Sequence, residues 1–294
     1  MYFNDVKNVF SETDINVFAD DTCLIASNNC IDEAMREMND KIKRLERFTS
    51  ANGIRINDKK TEYMIIQSKG KPLSHIEEEL YYEGEKLRRT NEIKLLGIHI
   101  DATLSFTNFI ENIMIKKLRK YIPIFYRLRQ FMNNDCLIKI YFAQVHSILS
   151  YCILVYGNTC KSTIQCLEKL QIRILKFLFK ISTSNVKTKM KQFKLLSWKQ
   201  IYTFKLLQIA HATIYNRENL PKYFQKLYNT TPLRILRNKE DFIVPYYRTV
   251  MGQRSVDFVL SKEWNQLTRR LKDIQSPILF KRHIKNYLLV KNNK

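Results

Sequence analysis

Asp20 and Asp21 stand where two β-prone apolar runs meet, Ile15-Asn16-Val17-Phe18-Ala19 before them and Thr22-Cys23-Leu24-Ile25-Ala26 after them. A hairpin with carboxylates at its tip offers oxygen ligands. Hard divalent cations, magnesium or manganese, take such ligands, and two of them can activate an attacking hydroxyl and stabilise a departing pyrophosphate. Successive strand residues face opposite sides, so Asp20 is expected to aim into a site while Asp21 reaches it only through the turn. A solvated turn holding two aspartates would read the same in isolation, so the surrounding elements must decide.

Those elements are legible from periodicity. Ile31, Ala34, Met35, Met38, Ile42, Leu45 and Phe48 recur at steps of three and four with charges on the other face, which predicts an amphipathic helix stopped at Asn52-Gly53. Strands are expected at Ile54 to Asn57 and Glu62 to Gln67, then from Leu80 to Leu87 about Gly84, and from Ile93 to Ile100. After Asp101 helical periodicity dominates, over about 108–131, 135–157, 162–181, 195–216 and 256–271, with a short extended piece at Phe242 to Tyr247. The expected fold class is α+β and mostly helical, divided as 1–101, 102–185 and 186–294, with the polar stretch Ser182 to Lys191 as a joint.

Charge follows the same division. The chain of 294 residues carries a net +22, but residues 1–101 hold 15 basic and 19 acidic side chains, whereas 102–294 hold 35 and 9. A rear section so basic expects a polyanionic partner, and nucleic acid is the default one. Lys116, Lys117, Arg119, Lys120, Arg127 and Arg129 stud its first helix and are the candidate phosphate-binding residues. Hydrophobic content of 45% excludes global disorder, and six Gly with six Pro disfavour a turn-rich sandwich.

The six cysteines form no C-x-x-C pair and have no histidine at finger spacing, so zinc is not expected. Met1-Tyr2-Phe3-Asn4-Asp5 lacks the basic and apolar regions of a secretory signal, which predicts an intracellular chain with reduced thiols. Ile140 to Cys160 contains no Lys, Arg, Asp or Glu over 21 residues, yet Gln144, His146, Ser147, Asn158 and Thr159 make it a buried helix rather than a membrane span. Trp198 and Trp264 read as core anchors, and His99 and His146, without a carboxylate or cysteine at useful spacing, as structural.

Four ordered phrases of the front section resemble the reverse transcriptases of non-LTR retrotransposons, closest to the jockey group. Tyr2-Phe3-Asn4-Asp5-Val6 is similar to the phrase that precedes the catalytic hairpin, and Val17-Phe18-Ala19-Asp20-Asp21-Thr22 resembles the hairpin itself, palm motif C. Asn57, Lys60 and Thr61 match the Asn-x-x-Lys-Thr core of motif D. Ile93-Lys94-Leu95-Leu96-Gly97-Ile98-His99-Ile100-Asp101 with Leu104-Ser105-Phe106 resembles motif E, the primer grip. Rearward, Leu167, Gln171 and Arg173 are similar to a thumb-region phrase, and Arg254-Ser255, Trp264-Asn265-Gln266-Leu267 and Phe280-Lys281 to a C-terminal one.

The resemblance implies an RNA-directed DNA polymerase fragment: partial palm, helical thumb and helical C-terminal region. Asp20 and Asp21 would hold magnesium or manganese, Lys60 would protonate the leaving pyrophosphate, Leu96 and Gly97 would sit at the primer grip, and RNA template, DNA primer and dNTP would be the partners. Leu95 departs from the family's usual Tyr, and Thr268 from its frequent Pro. The larger departure is that nothing in the 294 residues matches palm motifs A and B, which would precede Tyr2, and motif A supplies a further metal-binding Asp. This leaves a second expectation, a non-catalytic nucleic-acid-binding remnant that is inactive by itself.

Overall fold

The step-of-three-and-four pattern closes into α1, Ile31–Ala51, and places Met35, Ile42 and Leu45 on its buried face. The helix ends at Asn52, followed by Gly53 at φ +63, a left-handed conformation that glycine adopts without a Cβ penalty. A computed structural model describes residues 2–11, 14–19, 21–67, 79–226 and 241–291. The chain forms two units, Met1–Phe106 and Thr107–Lys294.

In the first unit, β1 (Ile15–Phe18) and β2 (Asp21–Leu24) pair antiparallel, with Ile15 opposite Leu24 and Phe18 opposite Asp21. Ile15 is buried with Val6, Phe10 and Leu45, which fixes the hairpin against α1 and the N-terminal 3₁₀ turn. Met35 and Ile42 are buried with Leu80, Tyr82 and Leu87, in a second cluster under β4 (Tyr81–Tyr82) and β5 (Glu85–Lys86). The turn between those strands is Glu83-Gly84, as Gly84 foretold. Two-residue β3 (Glu62–Tyr63) pairs parallel with β6 (Arg88–Arg89), and β7 (Glu92–Leu95) pairs antiparallel with β8 (Ile98–Asp101).

The strand expected at 54–57 does not form. The N–H of Ile54 returns to the carbonyl of Thr49 to finish α1, and Asn57 closes a 3₁₀ turn through Asp58–Lys60. Both ends are thus committed to local bonds that a ladder would have to break.

The second unit is helical: α2 (Ile115–Arg119), α3 (Tyr121–Leu128), α4 (Asn134–Ile140), α5 (Ser147–Ser150), α6 (Ile153–Tyr156), α7 (Lys161–Phe179), α8 (Thr183–Gln192), α9 (Trp198–Tyr215), α10 (Lys222–Lys226), α11 (Val256–Asn265), α12 (Arg269–Lys272) and α13 (Pro277–Lys291). Pro123, the third residue of α3, has no N–H for the carbonyl of Arg119, so the run expected over 108–131 is interrupted at Lys120. π-helical segments at Phe109–Met114 and Tyr141–His146 precede α2 and α5. Tyr141, Val145, Leu149, Ile153 and Tyr156 form the buried stripe of the charge-free segment, which breaks at Cys152 where φ is +47. The Tyr156 hydroxyl donates to the carbonyl of Leu149 and so satisfies an end group of α5.

Ser182 to Lys191, read from sequence as a joint, is instead α8, whose Val186 and Met190 are buried and which packs on α7. Two apolar residues four apart suffice to seat a short polar helix against a neighbour. Residues 241–247 form neither helix nor strand, and the side-chain amide of Asn265 holds them by exchanging bonds with the N–H and carbonyl of Phe242, 3.0 and 2.8 Å. Trp198 and Trp264 are buried, as their apolar faces predicted. Among the described residues, no helix is long and apolar enough to cross a membrane.

Candidate functional site

The Phe18 to Asp21 pairing leaves two residues between the strands, the length of a tight hairpin turn. Ala19 has φ +53, the left-handed region that such turns need and that a Cβ makes costly. Phe18, Ala19 and Asp21 are all exposed, so the tip projects from its unit. Asp20 lies outside the described residues. The Asp21 carboxylate is an accessible hard oxygen donor, suited in chemistry to magnesium or manganese. Among the described residues no group of three or more His, Cys, Asp or Glu is placed to hold a metal ion.

The far end of the hairpin is anchored by Lys41, a residue that its sequence position assigns to the solvated face of α1. Its buried ammonium donates to Asp14 just before β1 (3.0 Å), to the carbonyl of Ile25 just after β2 (2.6 Å) and to Glu37 one helical turn away (2.6 Å). Burial opposes the charge, but the bonds to Glu37 and Asp14 outweigh it and hold Lys41 above the ordinary lysine range. The Asp14 carboxyl is held below its usual range by hydrogen bonds from Ser11 and Lys41. Residues before and after the strands are thereby tied to one helical position, which sets the direction in which the tip points.

Asn57, Lys60 and Thr61 form one local turn. The Asn57 side chain and its carbonyl both accept from the Lys60 N–H, at 3.2 and 3.1 Å, and the carbonyl also accepts the N–H and hydroxyl of Thr61. The Lys60 side chain is exposed, free to meet a ligand from solvent. Leu96 and Gly97 form the β7–β8 turn with φ +47 and +81, the two positive values that a type I′ turn requires. Gly97 therefore serves the turn geometry, and Leu96 is exposed beside it.

His99, expected to lack a carboxylate partner, has one. Its Nδ1 lies 2.6 Å from Glu92, because the β7–β8 register places residues seven apart in sequence on one diagonal. Just beyond, Asp101 organises the Leu104-Ser105-Phe106 phrase. Its carboxylate accepts the N–H and hydroxyl of Thr103, the N–H and hydroxyl of Ser105 and the N–H of Phe106.

In the helical unit, Ile115, Leu118 and Phe125 are buried as α2 and α3 pack on α7. Lys116, Lys117, Arg119, Lys120 and Arg127 remain exposed, and none makes an ion pair among the described residues. Lys116, Lys120, Ile124, Arg127 and Phe131 follow one another at steps of three and four, a basic stripe interleaved with exposed apolar groups. Arg129 differs from the other five. Its guanidinium donates to the carbonyl of Phe177 (3.0 Å) and lies 4.3 Å from the centre of the Tyr126 ring, so it fastens α3 to α7.

The rearward phrases resolve into packing nodes. Gln171 is buried, and its amide donates to the Tyr141 hydroxyl and the Leu196 carbonyl while accepting the N–H of Trp198, at 2.8, 2.9 and 2.8 Å. A polar residue on the otherwise apolar face of a helix, Leu167-Leu170-Gln171-Ile174, was the one sequence signal for this hub. Trp264 packs edge-on to Phe242 and tilted on Phe280, joining two of the C-terminal phrases.

Comparison of this chain with protein-family models, with curated proteins and with solved structures gives no match.

Proposed function

We propose that this chain is the C-terminal portion of an RNA-directed DNA polymerase of the non-LTR retrotransposon type, comprising palm motifs C, D and E followed by a thumb and a C-terminal region. The observation that carries the reading is the register of β1 and β2, in which Phe18 stands opposite Asp21, with Ala19 at positive φ and Asp21 exposed at the edge of the hairpin. The motif C phrase needs that geometry to present carboxylates outward. Further support comes from the tight turns at Asn57–Thr61 and Leu96-Gly97, which fall on the motif D and motif E phrases.

In this reading Asp20 and Asp21 would hold magnesium or manganese, which when bound would neutralise charge on the nucleotide triphosphate and on the departing pyrophosphate. Lys60, exposed on its 3₁₀ turn, would give a proton to the leaving group. The β7–β8 tip would position the primer terminus, and the exposed lysines and arginines of α2 and α3 would hold the phosphates of template and primer.

A separate observation favours binding even without catalysis. The five exposed cations along α2 and α3 are unpaired among the described residues, and they need no palm carboxylates to attract a polyanion. The non-catalytic nucleic-acid-binding remnant is therefore the second reading.

Primer extension on an RNA template with magnesium and dNTP separates the two. The chain of 294 residues by itself should give no extension, because it contains no counterpart of motif A. Supplied with an upstream palm half on the same chain, it should extend primers, and Asp20→Ala should abolish that activity while Asp21→Ala reduces it less. Extension that survives Asp20→Ala unchanged would remove the hairpin from the chemistry and leave the binding reading.

A further inference from the structure

Phe131, at the end of the basic stripe of α2 and α3, is 83% exposed, twice the exposure of Ile124 two turns before it at 41%. Backbone bonds fix its place on that stripe. Lys120 keeps helical φ and ψ, −59 and −25, so the stripe runs on from α2 into α3. Past the end of α3, the N–H of Arg129 donates to the carbonyl of Phe125, and the N–H groups of Phe131 and Met132 both donate to that of Leu128 at 3.0 Å, which prolongs the winding by one turn. Phe131 therefore stands one turn beyond Arg127, on the side of the helix away from buried Ile115, Leu118 and Phe125.

The surroundings of the ring narrow what can cover it. Lys116, Lys117, Arg119, Lys120 and Arg127 are exposed along the same two helices and unpaired among the described residues. A second copy of this chain docking by the same face would set cations against cations. An anionic lipid surface takes a continuous apolar face, whereas Ile124 and Phe131 are separated by about 10 Å of helix with Arg127 between them. A nucleic-acid duplex would meet the cations with its phosphates, but its bases are already stacked on one another and leave the ring no open face. A single strand satisfies both kinds of group, with phosphates for the cations and unpaired bases for the ring.

We propose that Phe131 is a stacking platform for an unpaired base, so that the α2–α3 surface takes single-stranded nucleic acid. This rests on the reading of the stripe as a nucleic-acid surface and names the form of nucleic acid it selects. Lys116, Lys120 and Arg127 hold the phosphates of the strand while one base covers the Phe131 ring. The Arg129 guanidinium donates to the carbonyl of Phe177 (3.0 Å) and lies 4.3 Å from the centre of the Tyr126 ring, so the turn that carries Phe131 is braced against α7 before a strand arrives. Less ordering is then left to oppose binding. Every base has a π face, so the platform accepts any sequence.

The test measures, with the intact chain at a fixed salt concentration, affinity for a short oligothymidylate, for an abasic strand of equal length, and for the oligothymidylate paired with its complement. The abasic strand keeps the phosphates and removes the stacking partner. Oligothymidylate should bind about tenfold more tightly than the abasic strand, the equivalent of about one stacked base. Phe131→Ala and Phe131→Leu, changes at an exposed position outside the core, should remove most of that ratio, and Phe131→Trp should keep it. The loss should be larger on the single strand than on the duplex. A ratio unchanged in Phe131→Ala, or an equal loss on strand and duplex, overturns the platform. So does a kept ratio with loss of binding to anionic vesicles, or with loss of self-association, which would assign the ring to a lipid surface or to a second copy. Neutralising Lys116, Lys117, Arg119 and Lys120 together separates this proposal from the reading beneath it. A flattened salt slope in that variant, with the ratio unchanged in Phe131→Ala, sinks the stacking alone, whereas an unchanged slope sinks both.

Discussion

The carboxylate of Asp101 accepts the backbone N–H of Phe106 at 2.6 Å, across a turn in which Leu104 and Phe106 both have positive φ. Five hydrogen bonds to one side chain hold residues 103–106 in a shape that the backbone alone disfavours. Asp101→Asn keeps the shape of the side chain but weakens acceptance, and should cost about 1–2 kcal/mol in chemical denaturation. Burial works to raise the Asp101 pKa, yet the bonds from Thr103, Ser105 and Phe106 win and lower it. A carboxyl held low in the folded state stabilises fully above the unfolded value of about 3.9, and that contribution fades as pH falls through the lower folded value. The difference in stability between the protein and Asp101→Asn should therefore shrink in acid; a difference constant from pH 7 to pH 2 would contradict the assignment.

Lys41→Met removes the buried ammonium that ties Asp14 and Ile25 to α1. It should cost about 2 kcal/mol, because a charge-assisted network is broken while the apolar stem is kept. Lys41 is held above the ordinary lysine range, so its contribution is complete below about pH 10.4 and is lost only as pH rises through the folded value. Hydrogen exchange at the amides of β1 and β2 reads the effect locally, and unchanged protection at Ile25, whose N–H bonds to the Asp14 carbonyl, would show that the hairpin does not depend on Lys41.

Gln171→Leu fills nearly the same volume but leaves the Tyr141 hydroxyl, the Leu196 carbonyl and the Trp198 N–H without their shared partner. Unsatisfied buried groups cost about 1–3 kcal/mol each, so a destabilisation of roughly 3 kcal/mol is expected. Gln171→Glu distinguishes the hydrogen bonds from shape, since it keeps one acceptor but loses both donations. Thermal unfolding in which both variants match the unsubstituted protein would refute the hub.

Neutralising Lys116, Lys117, Arg119 and Lys120 together should weaken binding to an RNA–DNA duplex and flatten its salt dependence, by about 0.9 in the log-log slope for each phosphate left without its cation on a B-form duplex. Arg129→Gln should act mainly on stability, because its guanidinium is committed to Phe177 and Tyr126. Affinities measured at several salt concentrations decide this, and a quadruple variant with the original slope would mean that the stripe is only solvated.

Gly157→Ala tests the other end of the charge-free segment. A Cβ at that position would run into the carbonyl of Ile153 and the ring of Tyr202, neither of which has room to withdraw within a packed helical core. A cost of about 1–3 kcal/mol in denaturant is expected. Unchanged stability would show that α6 and α9 are packed more loosely there.

The β1–β2 hairpin, the long amphipathic helix with its stop at Asn52-Gly53, the turn at Gly84 and the change to helix after Asp101 were readable from the chain itself. Each depends on the periodicity or conformational freedom of a few consecutive residues, which sequence displays directly. The single strand expected from Ile93 to Ile100 is instead split into β7 and β8 by the Leu96-Gly97 turn. The strand expected at 54–57 failed because side-chain and terminal helix bonds competed locally, a balance that propensity does not weigh. The joint expected at Ser182 to Lys191 failed because two apolar residues were enough once α7 lay beside them.

Only the tertiary structure decided which polar residues would be buried and against what. Lys41, Gln171 and Arg129 look alike on paper, charged or polar positions on amphipathic helices, and each becomes a fastening because a carbonyl or carboxylate from a distant segment reaches it. The pairing of His99 with Glu92 required the register of two strands. Local pattern determines what a segment can become, whereas desolvation and charge are properties of neighbours, and neighbours distant in sequence are set by the folded chain.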